Sequence, residues 1–300
     1  MTKNSSEKGR ALEYIFCETF KSDWCKTPVH FTPESERQQS RDEVKYSELP
    51  DQQRQYFKSH SERIVSYIES EYFSKVNSLS LDRFHDFKGM EGDPTDVQLK
   101  SDEVALNISL KHNNDSLKHQ RPATVFDHLG VSDKEGEERY RTRIKEISTD
   151  FYALAMTMDS NMSLFNEVKS KEPNMIEEKL YRLVSKEYFG VLDKFGHFPE
   201  VVQNYFFFLI GSVDYLQIKV LKNYVKISKF VGIDPPNSMA STRLSNSTFD
   251  LEFDNGFVFN IRLHTASSKM KSCSTGSCSL KFDTKFSKTP SHMLIDELLD

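Results

Sequence analysis

Apolar residues recur along this chain with two different periods, and the changes of period divide it into elements. Ala11, Leu12, Ile15, Phe16 and Phe20 fall on one helical stripe, which predicts a helix over 7–22 with Glu13 and Glu18 beside or opposite that stripe. Residues 26–50 are polar, contain Pro28, Pro33 and Pro50, and read as a loop. Tyr56, Ile64, Tyr67, Ile68 and Phe73 predict a second helix over 51–76. The period then drops to two. Val97 and Leu99, then Val104, Leu106, Ile108 and Leu110, alternate with polar residues, which predicts two adjacent strands over about 95–113.

Beyond the strands, 121–136 reads as a loop with helical pieces. Helices are expected over 137–158 and 175–192, and a buried apolar one over 198–211, after Pro199. Residues 214–230 admit two readings. Tyr215–Val220 alternates like a strand, whereas Lys219, Lys222, Lys226 and Lys229 recur at helical spacing, the usual mark of a solvated face. After Pro235-Pro236, Phe249–Phe253 and Phe257–Leu263 flank Asn255-Gly256, a strong hairpin signal. A last strand over 279–286 and a short C-terminal helix complete the pattern. This order implies an α/β (α+β) fold with a mixed central β-sheet flanked by helices. It is expected to form a single domain over 1–300. Within it, 1–122 carries the first helix and the hairpin, 123–232 is helical, and 233–300 is a second β unit.

Composition adds limits. The chain has 300 residues, 37% of them hydrophobic, with 23 Phe and 12 Tyr, so a substantial core can form despite a mean hydropathy of -0.59. The longest apolar run, Tyr205–Gly211, is too short to span a bilayer, and the first ten residues lack the apolar core of a secretory signal. A cytoplasmic protein with no membrane partner is therefore expected. Cys17, Cys25, Cys273 and Cys278 fit a reducing compartment. Cys273 and Cys278, in a Ser/Gly-rich loop, read as free thiols, since one pair supplies too few ligands for structural zinc. The net charge of -5 argues mildly against a nucleic-acid partner. Lys and Arg are nevertheless dense in 109–121, in 219–229 and after Arg262, so a basic face on an acidic protein is possible.

Candidate chemistry concentrates in the hairpin. Asp96 opens its first strand and Lys111 lies near the end of the second. His112, Asn113, Asn114, Lys118, His119 and Arg121 follow, a run of donors suited to phosphates and base edges. Phosphodiester hydrolysis needs a divalent ion held by carboxylates, an activated water and donors for phosphate charge. Mg2+ is usually held by one or two carboxylates plus substrate phosphates. Asp96 and Lys111 supply part of this set. The position two before the lysine, where an acid is usual, is Ser109. Glu13 on the first helix is the best second carboxylate, with Glu91 and Asp93 as alternatives. A second polar run, Arg262, His264, Ser267, Ser268 and Lys269, could add groove or phosphate contacts. An Asp at a strand start is also a common turn former, and a Lys at a strand end a common edge residue.

Four segments carry a family resemblance: K-G-R-A-L-E at 8–13, T-D-V-Q-L at 95–99, I-S-L-K-H-N-N-D-S-L-K-H-Q-R-P at 108–122 and I-R-L-H-T-A-S-S-K at 261–269. In order and over nearly the whole chain they resemble the HaeIII-type type II restriction endonucleases of the PD-(D/E)XK nuclease superfamily. The resemblance implies a PD-(D/E)XK nuclease-like core with a C-terminal β-hairpin unit. It also implies Mg2+-dependent cleavage of both strands of double-stranded DNA at a short palindrome, GGCC being the family's typical target. Asp96 then becomes the metal-binding acid, Lys111 the catalytic lysine and Glu13 the second, helix-borne acid. A palindromic target implies a homodimer on DNA, and a cognate DNA methyltransferase as genetic partner. Ser109 departs from the superfamily motif and puts the number and placement of metal ions in doubt. Two rivals follow from the same residues: a non-catalytic DNA-binding module, or a PD-(D/E)XK nuclease of repair or mobile-element function.

Overall fold

The computed structural model describes residues 5–84, 93–113 and 117–299. The chain divides into two compact units. The first comprises Met1–Asp115, Gly211–Ile233 and His292–Asp300, and the second Ser116–Ile210 and Asp234–Ser291. The chain passes between the units after residues 115, 210, 233 and 291.

The first unit is a mixed seven-stranded sheet with helices packed on it. In chain order its elements are α1 (Ser5–Thr19), β1 (Val29–Phe31), α2 (Pro33–Ser47), α3 (Asp51–Ile68), β2 (Leu79–Arg83), β3 (Val97–Lys100) and β4 (Ala105–His112). Between the two parts of the second unit come β6 (Tyr215–Val220) and β7 (Tyr224–Phe230), and after its second part β12 (Ile295–Leu299). The strands lie in the order β1-β2-β3-β4-β6-β7-β12. β2, β3 and β4 form an antiparallel meander, whereas β4 and β6 are parallel, with Ser116–Ile210 of the second unit inserted between them as the crossover. Leu81, Val97, Leu99, Ile108, Ile218 and Ile227 project from this sheet into a core shared with Phe16 of α1 and Phe57 and Ile64 of α3.

Two local results differ from the sequence expectation, and a third decides between its two readings. The supposed loop at 26–50 holds β1 and α2. Thr32 caps α2 in extended conformation, its hydroxyl accepting from Ser35 N, with Pro33 in the first turn and Glu34 and Glu36 at the positive end of the helix dipole. Its buried residues are Ser35, Gln38, Gln39 and Asp42, so it has no apolar stripe to read. The ambiguous segment 214–230 is two strands, β6 and β7. The expected C-terminal helix is instead β12, which covers the open side of β7 in antiparallel register. Asp296 of β12 is anchored by Lys229 Nζ at 2.8 Å and by the Tyr67 hydroxyl.

The second unit contains β5 (His119–Gln120), α4 (Val125–Leu129), α5 (Lys134–Met158), α6 (Phe165–Lys171), α7 (Arg182–Phe195) and α8 (Pro199–Ile210). They are followed by β8 (Met239–Arg243), β9 (Thr248–Phe253), β10 (Val258–Thr265) and β11 (Leu280–Lys288). Its sheet is antiparallel, in the order β5-β11-β10-β9-β8. The β9–β10 turn uses Gly256 at φ 89°, a conformation that side-chain-bearing residues rarely adopt. Phe206 of α8 meets Phe253, Phe257 and Phe259 edge-on in the core. Gln120 locks the two-residue strand β5 in place. Its side-chain oxygen accepts from the Tyr188 and Tyr205 hydroxyls at 2.6 and 2.8 Å, and its amide donates to Thr284 Oγ1 at 2.7 Å. Cys273 and Cys278, expected as free thiols, are joined in a disulfide across a short loop, while Cys17 and Cys25 are free and buried. Among the described residues no helix is long and apolar enough to cross a membrane.

Candidate active site

The hairpin register places Asp96. Val97 lies opposite Ile108, so Asp96 stands one step before β3 beside Ser109, and its backbone N–H donates to Ile108 O at 2.8 Å. Its carboxylate is fixed by the chain itself. Oδ2 accepts from Leu110 N at 2.7 Å and from Ser109 Oγ at 3.2 Å, and Lys111 Nζ lies 3.9 Å from the same oxygen. A backbone donor cannot swing away, so the carboxylate is pre-positioned. The Asp96 and Lys111 side chains keep 24% and 28% of their surface open, whereas Ser109 is buried. Asp93 accepts from Thr95 N at 3.0 Å, shaping the turn that delivers Asp96. Glu91, the other alternative acid, lies outside the described residues.

Glu13 reaches the same region from α1. Ala11 and Leu12 turn that helix onto the core, and the next residue emerges beside β2. There Arg83 Nη2 donates to Glu13 Oε2 and to Asp42 Oδ2, each at 3.0 Å, while Nη1 donates to Gln39 Oε1 at 2.5 Å. The Glu13 side chain is 20% exposed. Burial first, and then the negative charge of Asp96, push its carboxyl up to about 7, against the opposing pull of Arg83. Asp42 goes the other way. Burial alone would raise it, but the bond from Arg41 and the charges of Arg83, Arg41 and Lys45 hold it below the usual carboxylate range. The Glu13–Arg83–Asp42–Gln39 network has no counterpart in the sequence expectation. Its signal was an arginine at an inward position of an alternating strand.

These groups can do specific chemistry. Two carboxylates whose charges feel one another, beside a lysine, form a site that a divalent cation would relieve of mutual repulsion. Asp96 and Glu13 are the residues that could hold Mg2+; among the described residues, no group of three or more His, Cys, Asp or Glu is arranged to hold a metal ion.

The donor run after Lys111 is divided between the units. His112 and Asn113 belong to the first, while Lys118, His119 and Arg121 belong to the second, and Asn114 lies outside the described residues. His112 packs edge-on against Phe57 with ring centroids 4.8 Å apart, and burial, with the charges of Lys8 and His60, pushes its pKa down. Asn113 adopts a left-handed backbone at φ 49° and bonds its amide to His112 Nε2 at 3.0 Å. Lys118 Nζ lies over the Phe208 ring, 5.1 Å from its centroid. Arg121 donates to Leu280 O at 3.0 Å.

In the second unit the expected contact residues His119 and His264 meet on a residue that sequence patterning does not single out. Asp283 Oδ1 lies 2.5 Å from His119 Nδ1, and its Oδ2 lies 2.6 Å from His264 Nε2. Lys281 Nζ is 3.5 Å away, and although burial would raise it, the electrostatic influence of His264, His119 and Lys281 holds the Asp283 carboxyl below the usual range. Arg262, exposed, pairs in register with Asp283. Ser267 Oγ accepts from Lys269 N at 3.1 Å, and Ser268 O from Phe165 N at 3.0 Å, leaving the Ser268 and Lys269 side chains exposed on a fixed turn.

Comparison with protein-family models, with curated proteins and with solved structures finds no match for this chain.

Proposed function

We propose that the protein is a Mg2+-dependent endonuclease that hydrolyses both strands of double-stranded DNA. One observation carries this reading: Lys111 Nζ lies 3.9 Å from the partly open Asp96 carboxylate, whose charge also raises the Glu13 carboxyl. Asp96 and Glu13 would hold the ion. Bound there, Mg2+ would supply Lewis-acid polarisation of the phosphate and a more acidic water. Lys111 orients the attacking water through its Nζ and offsets the charge that builds on the phosphate oxygens. Water oxygen bonds to phosphorus, the bond from phosphorus to the leaving sugar oxygen breaks, and that oxygen departs with a proton. Arg262, Ser268 and Lys269 offer exposed donors for DNA contacts.

The finer reading rests on the resemblance: a type II restriction endonuclease acting as a homodimer on a short palindrome, GGCC, beside a cognate methyltransferase. Plasmid DNA incubated with the protein and Mg2+ tests both levels. Discrete fragments support the restriction reading, ragged products a nuclease without sequence choice, and intact DNA at every protein level sinks the enzyme.

One observation favours a second reading. Ser109 is buried and bonded to Asp96 where the superfamily motif has an acid. A DNA-binding module without catalysis would bind independently of metal and leave DNA uncut even with Mn2+.

A further inference from the structure

Three lysines line up across the sheet beside the candidate site. Lys111 of β4 pairs in register with Lys219 of β6, and Lys219 with Lys226 of β7. In-register residues of neighbouring strands share a face, so all three stems rise from one side of the sheet, each partly exposed. Two positions back along β4 and β6, Ser109, Gln217 and Ser228 form a parallel polar row on that face. Like charges directly opposite one another work against strand pairing. Lysines that blunt a sheet edge are common, but β4, β6 and β7 are all interior strands of the seven-stranded order. Helical spacing in the sequence had made Lys219 and Lys226 look like one solvated face of a helix.

We infer that Lys111, Lys219 and Lys226 form a track for a nucleic-acid phosphate backbone, leading from the Asp96 corner across β6 to β7. The inference rests on the nuclease reading and deepens it by stating where the strand runs. Neighbouring strands are about 4.8 Å apart, so the row covers roughly 10 Å. One DNA strand carries a phosphate about every 3.4 Å of axis and winds as it rises, so the row faces about two successive phosphates. Glu297 of β12 stands in register beyond Lys226 and marks the end of the row, and the three adjacent lysines favour a polyanion here despite the net charge of -5. Lys111 contributes at the cleavage end, and Lys219 and Lys226 act by binding alone.

The test is equilibrium binding of the full chain to a short DNA duplex in EDTA, across about 50 to 200 mM salt. Removing one lysine–phosphate pairing should reduce the slope of log affinity against log salt by about one, so Lys219→Gln/Lys226→Gln should flatten it by about two. A control pair, Lys58→Ala/Lys75→Ala on and just after α3, makes the same change in net charge and should leave the slope near wild type. Thermal melting checks that the variants fold; should the double variant fail to fold, Lys226→Gln alone must lower the slope by about one. An unchanged slope in the row variants, or an equal flattening in the control, overturns the track, as does wild-type protein that shows no salt-dependent binding. Plasmid cleavage is scored separately. A flattened slope with no cutting leaves the track standing and removes the nuclease, whereas cutting with an unchanged slope does the reverse.

Discussion

Ser109 Oγ donates to Asp96 Oδ2 at 3.2 Å, beside the 2.7 Å bond from Leu110 N, so a buried hydroxyl helps to steady a partly open carboxylate. Replacing it with a carboxylate sets two negative charges side by side at a buried position. Ser109→Asp should therefore lower the stability of the metal-free protein by about 1–3 kcal/mol. It should also make stability depend more steeply on Mg2+ than in wild type. Melting curves with EDTA and with Mg2+ decide this. A variant as stable as wild type in EDTA would show that Ser109 does not adjoin the acidic corner.

Lys111 makes its 3.9 Å approach to Asp96 from β4 with a partly open side chain. Lys111→Ala should reduce DNA cleavage by at least about 100-fold, the scale of losing one transition-state donor. It takes one lysine out of the phosphate track, so duplex affinity should fall only modestly. Retained cutting would remove Lys111 from the reaction.

Glu13 gives a pH signature. Its folded pKa of about 7 lies above the ordinary value of 4.5, so the native state binds this proton more tightly than the unfolded chain does. The stability it contributes is complete below about pH 4.5 and is lost as pH rises through about 7, on the order of 3 kcal/mol in all. Denaturant titrations from acid to neutral pH should show wild type losing stability relative to Glu13→Gln across that window. Parallel curves would mean that Glu13 carries no perturbed proton. Mg2+ must displace the same proton, so Mg2+ affinity should rise with pH through neutrality in wild type and much less in Glu13→Gln.

The hairpin was legible because alternate burial of Val97, Leu99, Leu106, Ile108 and Leu110 imprints period two on the sequence. α2 was not, because the side it buries is Ser35, Gln38, Gln39 and Asp42, bound to a polar network instead of an apolar core. Arg83 was hidden for the same reason, since a buried arginine breaks the apolar alternation of its own strand. β12 has the composition of a helix and becomes a strand because β7 offers it a ladder, which is information held by a distant segment. Asp96, Lys111 and Glu13 were legible as candidates. Asp283 was not, because it is joined to His119 and His264 only by strand register.

Arg83 is a buried charge of the first unit, outside the hairpin. It is 3% exposed and is bonded to Glu13, Asp42 and Gln39. Arg83→Leu keeps most of the volume but leaves Asp42, whose side chain is fully buried, without its arginine from β2. Stripping a buried charge of its partner costs roughly 3–5 kcal/mol, and because Arg41 and Lys45 stay beside Asp42 the loss here should lie at or below the lower end of that range. Arg83 also lowers the Glu13 pKa, so the variant should push that group higher still and move the onset of Mg2+ binding to higher pH. Adding Asp42→Asn removes the buried charge, and the double variant should be more stable than the sum of the two single losses by about 1 kcal/mol or more. Additive losses in denaturant unfolding would show that the two residues act independently and that Arg83 does not tie α2 to the acidic corner.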